Sequence, residues 1–213
     1  MKRLLHVIAT PRASESRTLE VSSAFLNAIG KKYPSCDIDE LNLFESRPPE
    51  LTLKRVDGKY ALLGGKDLTP ELEKAWKEIV ACIDRFFAAD AYLISAPMWN
   101  FGIPYVLKHY IDVIVQPRYL FRYTDKGPEG LVNGKKMAVV TSRGGDYGPG
   151  SPARALDHQE PYMRAVFGFV GITDISFINA QPMDASGPEV REAKIAEAQV
   201  AEKRWRKVFE RCL

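Results

Sequence analysis

The sequence is poor in the residues that build metal centres and disulfide scaffolds. Only three of its 213 residues are cysteine and three are histidine, and no CxxC pair occurs. Cys36, Cys82 and Cys212 are odd in number and widely spaced, which indicates reduced thiols in a cytoplasmic protein. The histidines have no ligand-like spacing with the cysteines or with one another, so we expect no metal site.

Long apolar runs and a strong charge of one sign are also missing. No segment approaches the roughly 20 apolar residues that a membrane span needs, and the apolar run after Met1–Arg3 is too short for a secretory signal. The net charge of +3 comes from 30 basic and 27 acidic residues. This excess gives no indication of nucleic-acid binding, although it does not repel an anionic ligand. We therefore expect one globular domain over residues 1–213, with no nucleic-acid or membrane partner.

Three widespread motifs are absent as well. The chain contains no GxGxxG, no GxxxxGK[ST] and no GxSxG. Their absence argues against a Rossmann dinucleotide site, a P-loop NTPase and a serine hydrolase of the nucleophile-elbow type.

Apolar runs alternate with helical patterns along the chain. The strand candidates are 4–9, 37–43, 91–95, 136–141 and 175–180, and helical patterns begin near Arg17, Thr69, Ile103, Met163 and Glu189. This alternation predicts a doubly wound α/β fold of the flavodoxin-like type, with five parallel strands in the order 2-1-3-4-5. His6, inside the first strand, is interpreted as a hydrogen-bonded strand residue rather than a catalyst.

Two segments depart from this alternation. Residues 44–67 are charged and rich in turn formers, and we interpret them as an irregular surface excursion with a short helical piece near Leu51–Val56. After the third helix, the alternating run 119–124 and the turn signal at 125–128 predict a hairpin excursion that carries Phe121 and Tyr123. Such an excursion would cap a ligand or pack against a second subunit.

The loop after the first strand is crowded with hydroxyl groups and arginines. Thr10, Ser16, Arg17 and Thr18 gather where a helix begins, together with Arg12. Free N–H groups and the helix dipole favour an anion at this position, and a phosphate would be held well. Ordinary N-capping by Ser16 is the simpler alternative, but it needs one hydroxyl rather than three.

The loops after the third and fourth strands suit a flat, partly polar ring. The first contains Pro97, Met98, Trp99, Asn100 and Phe101, whose apolar groups would cover ring faces while the amide reads an edge. The alternative is a buried connection with core aromatics. The second contains Ser142, Arg143, Gly144 and Gly145, and its glycines permit close backbone approach to a ligand, although a plain tight turn would also explain them.

In the predicted strand order these three loops share one rim at the switch point. An anion-binding loop, an apolar loop and a glycine-containing loop, placed side by side, are the features expected of a binding site for FMN. The phosphate would lie at the first loop and the isoalloxazine ring against the other two.

The motifs on these loops resemble those of the flavodoxin-like FMN-dependent NADH azoreductases, which are also NADH:quinone oxidoreductases. The resemblance rests on 96–101, 121–124, 127–131, 141–145 and 167–172, and it runs nearly end to end. It implies non-covalent FMN binding by Thr10, by Ser16–Thr18, by Met98–Phe101 and by Ser142–Gly145. Threonine stands at position 10 where serine is common in the family, and it keeps the hydroxyl.

The resemblance also implies a reaction and an assembly. NADH or NADPH would reduce FMN by hydride transfer, and a quinone or azo compound would then take two electrons at the same place, with no protein residue as acid or base. The family forms homodimers, and Phe121, Tyr123 and Tyr147 are candidates for the substrate lip. The alternative function is a flavodoxin-like electron carrier without a substrate of its own.

Overall fold

The computed structural model describes residues 2–184, 187, 189 and 192–197. Most of the predicted helix from Glu189, including Trp205, Val208 and Cys212, lies outside these residues. In chain order the strands are β1 (Arg3–Ile8), β2 (Asp37–Asn42), β3 (Ala91–Ser95), β4 (Phe121–Thr124), β5 (Gly127–Gly130), β6 (Lys136–Ser142) and β7 (Asp174–Ala180). The helices are α1 (Arg17–Lys32), α2 (Leu53–Leu63), α3 (Pro70–Phe87), α4 (Tyr105–Ile114) and α5 (Gln159–Phe169).

Five strands form one parallel sheet in the order β2-β1-β3-β6-β7, which confirms the predicted flavodoxin-like arrangement. The central strand β3 is buried at all of its positions, as a strand covered on both faces must be. The more polar β2 lies at the edge, where its alternating pattern placed it.

Two apolar layers hold helices on opposite faces of the sheet. On one face Val21, Phe25 and Ile29 of α1 pack on the sheet. On the other face α3, α4 and α5 pack on alternate residues of the same strands. Because side chains alternate along a strand, a single run such as β3 supplies both layers. Among the described residues no helix combines the length and apolar character that crossing a bilayer requires.

The segment 44–67 is more regular than the sequence indicated. The expected short piece near Leu51–Val56 is an eleven-residue helix, α2, so the prediction of an irregular excursion is wrong for this half of the segment. The helix α2 packs closely on α3 at Gly58, where an added Cβ would come within 2.2 Å of Trp76 Nε1. The same Trp76 Nε1 donates to the Arg55 carbonyl at 2.9 Å. A glycine that weakens the helical pattern in the sequence therefore makes the helix packing possible.

After α4 the chain forms an antiparallel hairpin from β4 and β5, with Phe121 opposite Gly130. The base of this hairpin lies against the end of α5. A Cβ on Gly130 would come within 2.3 Å of the Gly171 nitrogen, so only glycine permits this approach. Phe121 packs on Phe169, with ring centroids 4.7 Å apart.

Candidate functional site

A cleft of about 190 Å³ opens at the carboxyl end of the sheet, where the loops after β1, β3 and β6 meet. The chain segment after β7 closes one side of it. Its lining residues are Thr10, Arg12, Ser16, Arg17, Thr18, Pro97, Met98, Trp99, Ser142, Arg143, Gly144, Met183 and Asp184. The structure thus brings together ten of the thirteen residues predicted to bind the cofactor, and Asn100, Phe101 and Gly145 lie outside the lining.

The first turn of α1 forms the polar end of the cleft. The Ser16 hydroxyl accepts the Leu19 N–H at 3.3 Å, so Ser16 does cap the helix. The hydroxyl of Thr18 lies 2.7 Å from that of Ser142 and joins α1 to the end of β6. The leading N–H groups of a helix point out of its end, and this end borders a cleft that Arg12, Arg17 and Arg143 also line. These N–H groups and guanidinium groups favour an anion at this end of the cleft.

One cation of this end already has a partner across the cleft. Arg17 Nη1 donates to Asp184 Oδ1 at 2.7 Å. The Asp184 N–H in turn donates to the Gly144 carbonyl at 3.0 Å. Met183 and Asp184 were not predicted from the sequence, although one signal was available: they follow β7, which neighbours β6 in the predicted sheet order.

The loop after β3 makes a tight turn with strained residues. Trp99 and Gly102 exchange two backbone hydrogen bonds of 3.0 Å, which leaves Asn100 and Phe101 at the two central positions. Both have positive φ, 48° and 68°. A two-residue turn of this kind requires positive φ at both positions, and asparagine tolerates it far better than phenylalanine. The Phe101 side chain is exposed, and its ring centroid lies 6.4 Å from that of Tyr147.

Trp99 belongs to an exposed aromatic cluster beside the cleft. Its ring centroid lies 6.2 Å from that of Phe44 and 6.4 Å from that of Tyr105. The Phe44 ring meets both edge-on. Edge-on contacts of this kind orient the rings as well as bury them, so the loop after β2 supports the orientation of Trp99.

Arg143 is the most deeply buried charged residue of the site, with 1% of its surface exposed. Its Nη1 donates to Asp157 at 2.8 Å and its Nε to the Thr141 hydroxyl at 3.1 Å. Its Nη2 is buried without a hydrogen-bond partner in the described structure. The side chain therefore has a structural ion pair, which the prediction of a simple cofactor contact did not include.

The three candidates for the substrate lip are not among the described residues that line the cleft. Phe121 is 6% exposed and packs on Phe169. Tyr123 is 65% exposed and lines a separate groove with Arg118 and Arg122. Tyr147 lines a neighbouring polar cleft together with Arg154. Within the described part of one chain, none of the three belongs to the cleft lining.

Beneath the rim runs a buried polar chain. His6 Nε2 shares a hydrogen bond of 2.8 Å with the Ser95 hydroxyl, which lies 2.6 Å from that of Ser22. Ser22 donates to the Thr18 carbonyl at 2.8 Å, at the start of α1. Burial lowers the pKa of His6 to about 4, although the Glu40 carboxylate opposes the shift. His6 is therefore neutral at pH 7 and acts as the hydrogen-bonded strand residue that the sequence predicted.

No cluster of three or more His, Cys, Asp or Glu side chains within the described ranges is arranged to hold a metal ion. The fold and the cleft define a flavodoxin-like α/β protein whose site pairs an anion-binding helix end with an apolar loop. This is the arrangement that binds a phosphorylated aromatic molecule.

Comparison with known proteins identifies the family. Residues 2–207 match a family model described as a flavodoxin-like fold. The FMN-dependent NADH:quinone oxidoreductase of Nitratidesulfovibrio vulgaris is 37% identical over 198 residues, which cover 93% of this chain and 95% of that protein. The protein of the same name from Nostoc punctiforme is 38% identical over 94% of this chain and 96% of its own length.

A solved structure of an FMN-dependent NADH-azoreductase from Bacillus anthracis, in complex with FMN, superposes with a TM-score of 0.83 at 28% identity. The match covers 96% of this chain and 99% of that one. This chain therefore belongs to the flavodoxin-like family of FMN-dependent NADH:quinone oxidoreductases and azoreductases.

Proposed function

We propose that this protein is an FMN-dependent NADH:quinone oxidoreductase that also reduces azo compounds. One observation carries the proposal. The N-terminus of α1, with the hydroxyls of Ser16 and Thr18, opens into the same cleft as Pro97–Trp99 and Ser142–Gly144. A phosphate and a ring system can thus be held by one continuous surface at the switch point of the sheet.

The residues present fit FMN. Thr10, Ser16, Thr18 and Arg17 offer hydroxyl and guanidinium donors to a phosphate, and the phosphate would compete with Asp184 for Arg17. Met98 to Phe101 and Ser142 to Gly145 are the proposed contacts of the ring. A Cβ on Gly144 would lie 3.0 Å from Asp184 Oδ2, so glycine leaves room here for the Asp184 side chain.

FMN supplies the chemistry when bound, since it accepts a hydride from NADH or NADPH and delivers two electrons to an acceptor. The chain supplies position and environment. Met98 and Trp99 would exclude water from one face of the isoalloxazine ring. The backbone N–H groups of Gly144 and Gly145 would stabilise negative charge at the edge of that ring. No side chain needs to act as an acid or base in this scheme.

The proposed assembly is a cytoplasmic homodimer with acceptor sites at the interface. The β4–β5 hairpin is the proposed excursion that faces the partner, because Tyr123 is exposed and projects from it. Quinone or azo contacts with Phe121, Tyr123 and Tyr147 would then come from the assembled dimer rather than from one chain. Residues 1–213 would act as a single FMN-binding domain.

The test is a visible spectrum of the purified protein. Excess FMN is added, unbound FMN is removed, and the spectrum is recorded before and after anaerobic NADH and again after a quinone. We expect a retained flavin band that bleaches and then returns. A retained band that neither NADH nor NADPH bleaches would instead support the electron-carrier alternative, and no retained band would contradict FMN binding.

A further inference from the structure

Three consecutive residues at the start of α5 contact both loops that face the proposed ring. They are Asp157, His158 and Gln159, and we name them the α5 clamp. The described lining of the cleft does not include them.

Gln159 holds the loop after β3. Its side chain is fully buried, and its Nε2 donates to the carbonyls of Ala96 at 3.2 Å and Pro97 at 3.1 Å. Both carbonyls belong to the residues that immediately precede Met98. His158 holds the other end of the same loop, because its backbone N–H donates to the Phe101 carbonyl at 3.0 Å.

Asp157 holds the loop after β6. Its Oδ2 accepts from Arg143 Nη1 at 2.8 Å, in an ion pair where both side chains are nearly or largely buried. Its Oδ1 accepts the N–H groups of Gln159 and Glu160 at 3.0 and 3.1 Å, so it also caps α5. One carboxylate therefore fixes Arg143 to the start of the helix that carries Gln159.

The two loops also touch directly, since the Met98 N–H donates to the Ser142 carbonyl at 3.0 Å. That hydrogen bond fixes the distance between the two loops at one point only. The α5 clamp adds attachments at Ala96, Pro97, Phe101 and Arg143, and these attachments fix the relative orientation of the loops.

We propose that the α5 clamp is a set of positioning residues that fixes the loop after β3 against the loop after β6. The clamp would thereby hold in one fixed arrangement the two loops that are the proposed contacts of the flavin ring. This inference rests on the proposed function for the identity of the ligand, although the coupling between the loops is a property of the chain alone. Buried donors and acceptors are expensive to leave unpaired, so the attachments hold their geometry.

The first variant is Gln159→Met, which keeps the side-chain volume but removes the amide donors. The matched control is Glu160→Gln on the same helical turn, because the Glu160 carboxylate accepts hydrogen bonds from Arg164 and Asn179 and from neither loop. Hydrogen exchange of the apoprotein is measured first. We expect exchange of the 96–101 amides to rise about tenfold or more in Gln159→Met and to stay at the wild-type rate in the control.

The FMN-loaded forms are compared next. In Gln159→Met the N-terminus of α1 is unchanged, so the dissociation constant for FMN should change by less than about threefold. The flavin absorption band should shift, and kcat should fall about tenfold or more. A purely structural role would lower thermal stability without this split between binding and turnover.

A second variant covers the case in which Gln159→Met does not fold. Asp157→Asn keeps a good cap for α5 and removes the charge that Arg143 pairs with. We expect faster exchange at 142–145 than at 96–101. Wild-type exchange at both loops, with kcat within about twofold of wild type, would overturn the inference. Failure of the wild-type protein to retain FMN would contradict the proposed function instead, and the apoprotein exchange would still decide the coupling.

Discussion

Arg17 and Asp184 form an ion pair across the mouth of the cleft, with 2.7 Å between Nη1 and Oδ1. Arg17 lies in the first turn of α1 and Asp184 follows β7, so the pair joins the two sides of the anion-binding end. A carboxylate at this position competes with any phosphate for the same guanidinium group. The ion pair therefore sets how much of the positive charge of Arg17 is available to a ligand.

Replacing Asp184 and replacing Arg17 should change the affinity for FMN in opposite directions. We expect Asp184→Asn to tighten FMN binding about three- to fivefold at low salt, since partly exposed ion pairs are worth up to about 1 kcal/mol. Arg17→Ala should weaken binding about tenfold or more, because it removes a charge-assisted hydrogen bond. Fluorescence titration of FMN measures both effects.

The comparison variant is Glu15→Gln, which frees the other arginine at this end, Arg12, from a longer and more exposed ion pair of 3.5 Å. A smaller effect of this variant than of Asp184→Asn would locate the competition at Arg17. Weaker FMN binding in Asp184→Asn would contradict the argument and assign Asp184 a direct contact with the ligand.

The hydroxyl of Thr18 tests the phosphate end independently of charge. Thr18 is buried, and its Oγ1 lies 2.7 Å from Ser142 Oγ. Thr18→Val keeps the shape and removes the hydroxyl, so FMN binding should weaken about tenfold or more. Thr18→Ser restores the hydroxyl and should restore most of the affinity. Equal affinity in the valine and wild-type proteins would remove Thr18 from the site.

The turn at Phe101 should reveal a conflict between stability and function. A bulky residue at φ 68° is strained by about 1–2 kcal/mol. Phe101→Gly and Phe101→Ala both remove the ring, but only glycine relieves the strain. We expect the glycine variant to be about 1 kcal/mol more stable than the alanine variant in denaturant unfolding. Both variants should lose turnover to a similar extent if the ring contacts the flavin or the acceptor, and an unchanged kcat would contradict that role.

The order of the sheet and the meeting of the three loops were predictable for one reason. The strands β1, β3 and β6 are continuous apolar runs, and continuous runs of this kind form parallel sheets buried on both faces. In a parallel sheet the carboxyl ends of strands share an edge. Unusual loops after those strands therefore had to lie together, whatever their individual conformations.

The contacts that the sequence did not reveal are all tertiary. Asp184 and Asp157 follow ordinary-looking segments, and only their partners Arg17 and Arg143 give them a role. Phe121 alternates as a strand residue should, but that pattern does not reveal that its ring packs on Phe169. Residue type and spacing report local structure well, and they do not report which distant side chain completes a pair.

The helix α2 illustrates the same limit and gives a stability test. Gly58 contacts Trp76 so closely that Gly58→Ala should displace α2 and cost about 2 kcal/mol or more. Gly30 is the matched control, since it also lies inside a helix, but a Cβ added there would meet no heavy atom of the described neighbouring residues within 4 Å. Gly30→Ala should stabilise the protein by about 0.5–1 kcal/mol through helix propensity. Opposite signs in denaturant unfolding confirm the packing argument, whereas a stabilising Gly58→Ala would contradict it.

His6 should make the protein less stable in mild acid. Burial lowers the pKa of His6 from 6.5 to about 4, and the Glu40 carboxylate, 3.6 Å from Nδ1, reduces the shift. Between these two values the unfolded chain takes up a proton that the folded protein does not. The contribution of His6 to stability is therefore complete above about pH 6.5, and it is lost as the pH falls towards 4.

The variant His6→Gln keeps a hydrogen-bonding side chain beside Ser95 but does not titrate. From pH 7 to about pH 4.5 the wild-type protein should lose about 2–3 kcal/mol more unfolding free energy than this variant. Denaturant unfolding at several pH values measures the difference, in which the other titrating groups cancel. Parallel pH curves for the two proteins would mean that folded His6 becomes protonated as readily as the unfolded residue. Glu40 would then stabilise the imidazolium, and the polar chain from His6 to Thr18 would carry a positive charge beneath the anion-binding end of the cleft.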